Sequence, residues 1–407
     1  MGVLDHYEAE LTDDPASVFE ACEVARTRFP LVNGLSRCSD VHVALSFGAI
    51  MHRVDGELVP MEGVKLPSKP ALEKFIQDHM STNDFIAEQL KDFGAASLSH
   101  WGDKIGRLRV TVLQTHEPTL QIRLLPDEPP PWEALRLPSE VRRFAENRRG
   151  IGFVAGRVSS GKSTVLAAST DSIVRERPDA VLSVDDTQEY KYRRRKGIVY
   201  SVELGQPGQA KTYATALKNS LRSDINALII GESRTPDVLD VALQTAVAGP
   251  RTATTVHVRG ALAVPDRIIG AFPSDAQPQV RQMLAGALEE VLYITLVRAK
   301  DESVGRVPAV EFLFRLDDLA DVILDDTNRT ANSIETGLKN YMEKHDKDGM
   351  ILLEDHLLKL VDGEDITRET ALGAALRPDV MRRKLKLDEG SDRRTILTKD
   401  SSRGFTI

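Results

Sequence analysis

The stretch Gly152 to Thr164, Gly-Phe-Val-Ala-Gly-Arg-Val-Ser-Ser-Gly-Lys-Ser-Thr, constrains the fold more than any other part of the chain. A strand-like run, Ile151 to Ala155, enters a loop bounded by Gly156 and Gly161, and a helix-like run follows from Thr164 to Ala168. Glycines let such a loop curl so that the backbone N–H groups of Arg157, Val158, Ser159 and Ser160 point at phosphate oxygens. Lys162 then supplies a point charge at the β and γ positions, and Ser163 offers a hydroxyl to Mg²⁺. The helix N-terminus behind Thr164 faces the same phosphates. A chance glycine-rich turn is the plain alternative, but the flanking strand and helix patterns supply the context this P-loop pattern requires.

A chain of 407 residues suggests two or three domains, and 41% hydrophobic residues allow a sizeable core. The net charge of −8, with no long basic face, argues against nucleic acid as a direct ligand. No run of 18 apolar residues occurs and Met1 to Asp14 is acidic, so the expectation is a cytoplasmic protein without a transmembrane segment, able to dock on a membrane machine. Two cysteines, Cys22 and Cys38, suit a reducing compartment and exclude a four-cysteine zinc site; both read as small core or surface residues.

Along the chain, Pro15 to Arg28 has helical apolar spacing, so residues 1–29 read as an N-terminal helical extension. Asp40 to Val59 alternates around an Asp55-Gly56 hairpin turn, Pro70 to Leu90 reads as helix, and Arg107 to Val112 and Thr119 to Leu125 alternate again around His116-Glu117-Pro118. Residues 30–126 are therefore an α+β domain with a mostly antiparallel sheet. Pro126-Asp127-Glu128-Pro129-Pro130-Pro131 opens an extended, semi-stiff linker over 127–138. Strand-like runs at Gly152 to Ala155, Ala180 to Val184, Ile198 to Val202, Ala227 to Ile230 and Thr252 to Val256, interleaved with helices, predict a wound α/β ATPase domain over 139–330. A long amphipathic helix from Gln277 through Leu288 and Val291 is expected before strands at Tyr293 to Val297 and Val307 to Phe314. A helical segment, 331–381, and a flexible charged tail, 382–407, complete the reading.

Further constellations carry chemistry. Val181 to Val184 is a short apolar strand that delivers Asp185, Asp186 and Glu189 at its carboxyl end, where ligands sit in α/β sheets and a carboxylate can orient water. Ala227 to Ile230 is followed by Gly231-Glu232, an acid placed to hold Mg²⁺ or its water shell. His257 follows a third strand, and Arg107, Arg109 and Arg123 punctuate the sheet before the linker. Each acid taken alone could instead be a helix cap or a solvated loop carboxylate.

In order and spacing, the residues from about Ser39 to about Phe314 resemble the secretion ATPase superfamily, which drives type II and type IV secretion, type IV pili and conjugation. The resemblance implies a P-loop (RecA-like) domain behind a PAS-like N-terminal domain, ATP and Mg²⁺ as ligands, and a homo-hexameric ring attached to inner-membrane secretion or conjugation machinery. Ser39-Asp40-Val41-His42 matches the phrase that opens the N-terminal domain, and Leu135-Arg136-Leu137-Pro138 the end of the linker. Gly156 to Ser163 is the Walker A loop, Val184 to Tyr190 the aspartate box with Glu189 as catalytic carboxylate, Leu228 to Glu232 the atypical Walker B, and Ala246 to Ile269 the histidine box. Arg109 and Arg123 match the N-terminal arginines that close over the nucleotide in the family. The chain departs from the pattern by carrying Pro250 where the first of two box histidines is expected, keeping His257. Its cysteines exclude the zinc-bearing type II branch, and Leu319-Ala320-Asp321-Val322-Ile323-Leu324 replaces the retraction phrase Ala-Ile-Arg-Asn-Leu-Ile. The layout looks most like the Dot/Icm-type (type IVB) secretion and plasmid-transfer branch, with pilus retraction or assembly as the alternative.

Two rival classes remain at this stage. A small-molecule kinase would show a further polar motif beside the phosphates, and none is visible. A DNA-pumping ATPase is favoured by one feature, Arg193-Arg194-Arg195-Lys196, which also reads as a solvated or partner-docking loop.

Overall fold

The computed structural model describes residues 9–31, 35–80, 84–114, 116–204, 210, 212–220, 224–325 and 333–387. The chain divides after Glu128 into two units, each with its own core.

In the first unit, β1 (Leu11–Thr12) precedes α1 (Ser17–Arg28), and β2 (Cys38–Ala44) turns Val41 and Val43 into the core while Asp40 and His42 lie on its opposite face, Asp40 itself buried. β3 (Ile50–Val54) and β4 (Glu57–Pro60) follow, joined by Asp55 and Gly56 with φ of 51° and 92°, the left-handed pair that a two-residue hairpin demands. β5 (Leu66–Pro67), α2 (Lys69–Met80), α3 (Asp84–Phe93), β6 (Ala95–Gly102), β7 (Gly106–Gln114) and β8 (Pro118–Leu125) complete the unit. Six strands form an antiparallel sheet in the order β4-β3-β2-β8-β7-β6, and β1 pairs with β5 alone.

Three details differ from the sequence reading. Helix α1 is no appended extension, because its face of Val18, Ala21, Cys22 and Ala25 is fully buried in the core of the first unit. The single helix expected over Pro70 to Leu90 is two, with residues 81–83 outside those described. Strand β6 escaped notice because Ala-Ala-Ser-Leu-Ser-His-Trp-Gly contains no β-branched residue.

The second unit begins inside the proline stretch. Trp132 and Leu135, in a 3₁₀ turn, are buried in its core, so the latter part of the linker expected over 127–138 is built into the ATPase unit by its two large apolar side chains. After α4 (Arg142–Glu146) come β9 (Ile151–Ala155), α5 (Lys162–Glu176), β10 (Ala180–Asp185), β11 (Ile198–Glu203), α6 (Tyr213–Ser220), β12 (Ala227–Ile230), α7 (Pro236–Ala248), β13 (Arg251–Val256), α8 (Val264–Ile269), α9 (Gln277–Ala287), β14 (Leu288–Arg298) and β15 (Arg306–Phe314). The sheet order is β11-β10-β12-β13-β9-β14-β15, parallel except for β15. The helix expected through Leu288 and Val291 stops at Ala287. Those two residues lie on β14, where pairing with β9 and β15 outweighs their helical spacing.

Helices α10 (Leu319–Leu324), α11 (Ser333–Lys344), α12 (Leu353–Asp362), α13 (Arg368–Ala374) and α14 (Pro378–Lys384) close the unit. Because α14 runs to Lys384 and buries Met381, with Leu385 buried just beyond it, the start of the expected tail is ordered; residues 388–407 lie outside those described. Two buried ion clusters tie the unit together. Arg251 donates to Glu290 at 2.8 Å and lies over the Phe144 ring, while Arg377 joins the buried carboxylates of Glu311 and Glu354, in β15 and α12.

Candidate nucleotide site

Parallel pairing of β10, β12, β13, β9 and β14 brings their carboxyl ends to one edge of the sheet, and the loop after β9 curls there. A Cβ on Gly156 would collide with Ser160 Oγ and the Ile294 carbonyl. Gly161 caps α5 at φ 96°, and Ser159 is left-handed at φ 61°. Gly156 thus leaves no room for any Cβ, and the left-handed backbone at Ser159 and Gly161 disfavours β-branched residues at those two positions. Inside the cradle the buried Ser160 hydroxyl has no hydrogen-bond partner among the described residues, while Ser163 is exposed at the head of α5. Both features, with the helix N-terminus, fit an anionic ligand accompanied by a cation.

Lys162 is buried and its ammonium donates to the carbonyls of Gly156 at 3.1 Å and Arg157 at 2.8 Å; its Nζ also lies 3.3 Å from His257 Nδ1. Burial lowers the lysine to about 8, against the pull of nearby Glu232 and Glu189. His257 Nε2 lies 3.0 Å from Glu232 Oε1, and Arg234 donates to the other oxygen at 2.7 Å. Burial by itself would raise Glu232, yet Arg234 and His257 together hold the carboxyl below its ordinary range, so it is anionic at neutral pH. Arg234 also stands 3.7 Å from Asp186.

Glu189 is half-buried on the segment after β10. That segment is fastened to α5 by the Tyr190 hydroxyl, which donates to Thr164 Oγ1 at 3.1 Å, so the Thr164 hydroxyl, expected beside the nucleotide, accepts a bond from the segment that carries Glu189. Asp185 accepts from Ser183 at 2.9 Å and lies where a Cβ on Gly231 would be; burial pushes its carboxyl up to about 7.

The structure therefore gathers Lys162, Ser163, Glu189, Glu232 and His257 on one sheet edge. Arg109 and Arg123 belong to the first unit, on β7 and β8, where Arg123 pairs with buried Asp40 at 3.1 Å. Pro250 lies at the amino end of β13, whereas His257 follows its carboxyl end, a span of roughly 20 Å. A histidine at position 250 would not face the phosphates of the same unit. Of the basic cluster, Arg195 turns toward Asp171 at 3.8 Å and Arg193, Arg194 and Lys196 are exposed. Sequence reasoning passed over Arg234, the raised carboxyl of Asp185, and Tyr190. The position of Arg234, two residues after Glu232, was the available signal.

A glycine cradle ahead of α5, a buried lysine and carboxylates on the neighbouring strand ends define a P-loop nucleoside triphosphatase. The family model described as "Type II/IV secretion system protein" matches residues 35–364, and the chain belongs to that family. It is an ATPase. Among curated proteins it is similar to a twitching motility protein of Neisseria gonorrhoeae, 29% identical over 317 residues that cover 77% of this chain and 83% of that protein. Among solved structures it is similar to the pilus retraction motor PilT with bound ADP, at a TM-score of 0.74 and 26% identity over 91% of this chain and 99% of that one. The Legionella pneumophila ATPase DotB shares the fold, at a TM-score of 0.70 and 20% identity over 90% of this chain and 98% of that one. Among the described residues no helix is long and apolar enough to cross a membrane.

Proposed function

We propose that the chain is the motor ATPase of a type IV pilus or a closely related secretion or conjugation machine, working as a ring of six subunits on the cytoplasmic side of an inner-membrane complex. The observation that carries this reading is the likeness, over most of both chains, to a twitching motility protein and to a pilus retraction motor. Sequence motifs alone leaned toward type IVB secretion and plasmid transfer. That reading keeps the support of the shared fold with DotB and of the altered segment Leu319 to Leu324.

In this reading the loop from Gly156 to Thr164 binds ATP. Lys162 leaves the carbonyls of Gly156 and Arg157 for the β- and γ-phosphates, where one charge replaces two neutral acceptors. Ser163 and, through water, Glu232 would hold Mg²⁺. Held there, the ion would supply positive charge against the phosphates. Glu189 orients the attacking water and accepts its proton, and His257 keeps Glu232 aimed. Arg109 and Arg123, from the same or a neighbouring subunit, answer the charge on the γ-phosphoryl oxygens, a role matched elsewhere by arginines worth about 10³ to 10⁵ in rate.

The test at the site is Mg²⁺-dependent ATP hydrolysis by the full chain. Lys162→Ala abolishes it, and Glu189→Gln keeps ATP binding while turnover drops by about a hundredfold or more. Turnover unaffected by Lys162→Ala would remove the assignment. At the level of the machine, deleting the gene should abolish pilus retraction; intact pili with lost protein export or plasmid transfer would favour the secretion reading.

A further inference from the structure

Strand β13 lies between β12 and β9 in the interior of a parallel sheet, a place usually filled by Val, Ile and Leu. It reads Arg251-Thr252-Ala253-Thr254-Thr255-Val256, and all three threonines are at most 2% exposed. Valine has nearly the same shape and no hydroxyl to desolvate, so a threonine here needs a partner to offset that cost.

Among the described residues two of the three hydroxyls have partners, and both partners flank one residue. Thr255 Oγ1 donates to the Gly231 carbonyl at 2.6 Å, and Thr254 Oγ1 lies 2.8 Å from Ser233 Oγ. Ser233 N also donates to the Thr255 carbonyl at 3.1 Å, and Gly231 N to the Val184 carbonyl of β10 at 2.9 Å. Strand β12 ends at Ile230, yet the next three residues stay fastened to the sheet on both sides of Glu232. The same strand, β13, leads directly into His257, which meets the Glu232 carboxylate at 3.0 Å. One strand thus fixes both the backbone beneath the acid and the imidazole at its tip.

We propose that Thr255, supported by Thr254, is a positioning residue for ATP hydrolysis: its hydroxyl fixes the backbone that aims Glu232 at the phosphate edge. The proposal rests on the role given above to Glu232. Loss of this hydrogen bond frees the Gly231 carbonyl and lets the acid drift, and a misplacement of about 1 Å can cost on the order of a hundredfold in rate.

The experiment uses the full chain with ATP and Mg²⁺. Thr255→Val should lower kcat by about tenfold to a hundredfold with KM for ATP and ADP affinity little changed, because the cradle itself is untouched. Thr255→Ser, which keeps the hydroxyl and loses the methyl, should retain most of the turnover. Thermal unfolding confirms that each variant is folded at the assay temperature. Wild-type kcat in Thr255→Val overturns the proposal, as does an equal loss in Thr255→Ser, which would make packing the cause, or a parallel loss of ADP affinity, which would mean a general distortion. Glu232→Gln, measured alongside, separates the two levels. If it hydrolyses ATP normally, the role of Glu232 and the clamp fall together; if it is inactive while Thr255→Val is normal, only the clamp falls.

Discussion

Arg109 and Arg123 are direct cross-strand neighbours, paired in register on β7 and β8. Like charges directly opposite one another on a sheet are unfavourable, and among the described residues Arg123, unlike Arg109, has a carboxylate to answer it, Asp40, itself 2% exposed. The two should therefore separate under mutation. Arg109→Ala should lower ATP turnover with stability unchanged or slightly improved, whereas Arg123→Ala should lower turnover and also cost about 1 to 3 kcal/mol by leaving Asp40 buried without its donor. Steady-state kinetics beside urea denaturation checks both halves. Equal kinetics to wild type for Arg109→Ala would remove it from the proposed site.

Nucleotide binding should weaken as pH rises through the lysine. Burial lowers Lys162 to about 8, so below that pH the free protein already carries the ammonium, and above it binding must take up a proton. The expected outcome is falling ADP affinity from about pH 7 to about pH 9, with a net proton uptake that grows over the same interval. Titration calorimetry in two buffers of different ionisation enthalpy measures it.

Glu290 sits at 1% exposure with Arg251 as its guanidinium partner, and burial pushes its carboxyl up to about 7. Arg251→Met should destabilise the protein by about 3 to 5 kcal/mol, because it strands a buried carboxylate. The loss should grow above pH 7, because without Arg251 burial holds Glu290 protonated in the folded state at a pH where both the wild-type group and the unfolded chain ionise. Adding Glu290→Gln should recover part of the loss, and chemical denaturation of the four proteins gives the coupling.

A fragment beginning at Pro129 should be markedly more stable than one beginning at Ser139. The shorter piece lacks Trp132 and Leu135, both 8% exposed in the core of the second unit, and core truncations of this size each cost about 2 to 5 kcal/mol. Circular dichroism melts of the two fragments decide it.

Much of the second unit could be read from the chain because its signals are local. Gly156, Gly161 and Lys162 announce a loop whose backbone geometry few other residues allow, and Asp185, Glu232 and His257, at or just beyond the ends of β10, β12 and β13, mark the ligand edge. What stayed hidden depends on pairing between distant segments. Leu288 and Val291 keep helical spacing and become strand only because β9 and β15 lie on either side. Tyr190 looks like an ordinary loop residue until Thr164, 26 positions earlier, is placed beside it. Trp132 and Leu135 were hidden by their prolines, which signal extended chain and say nothing about what the chain lies against.

Arg377 also gives the C-terminal helices a reach beyond their own packing. Its side chain meets Glu354 of α12 and Glu311 of β15, and Glu311 in turn accepts the backbone N–H of Ala261, four residues after His257. Truncation of the chain between Glu354 and Arg377 would therefore not merely trim a helix from the periphery. It would leave two carboxylates uncompensated in the interior, one of them holding the loop that follows the histidine, and so act as a charge substitution within the ATPase core.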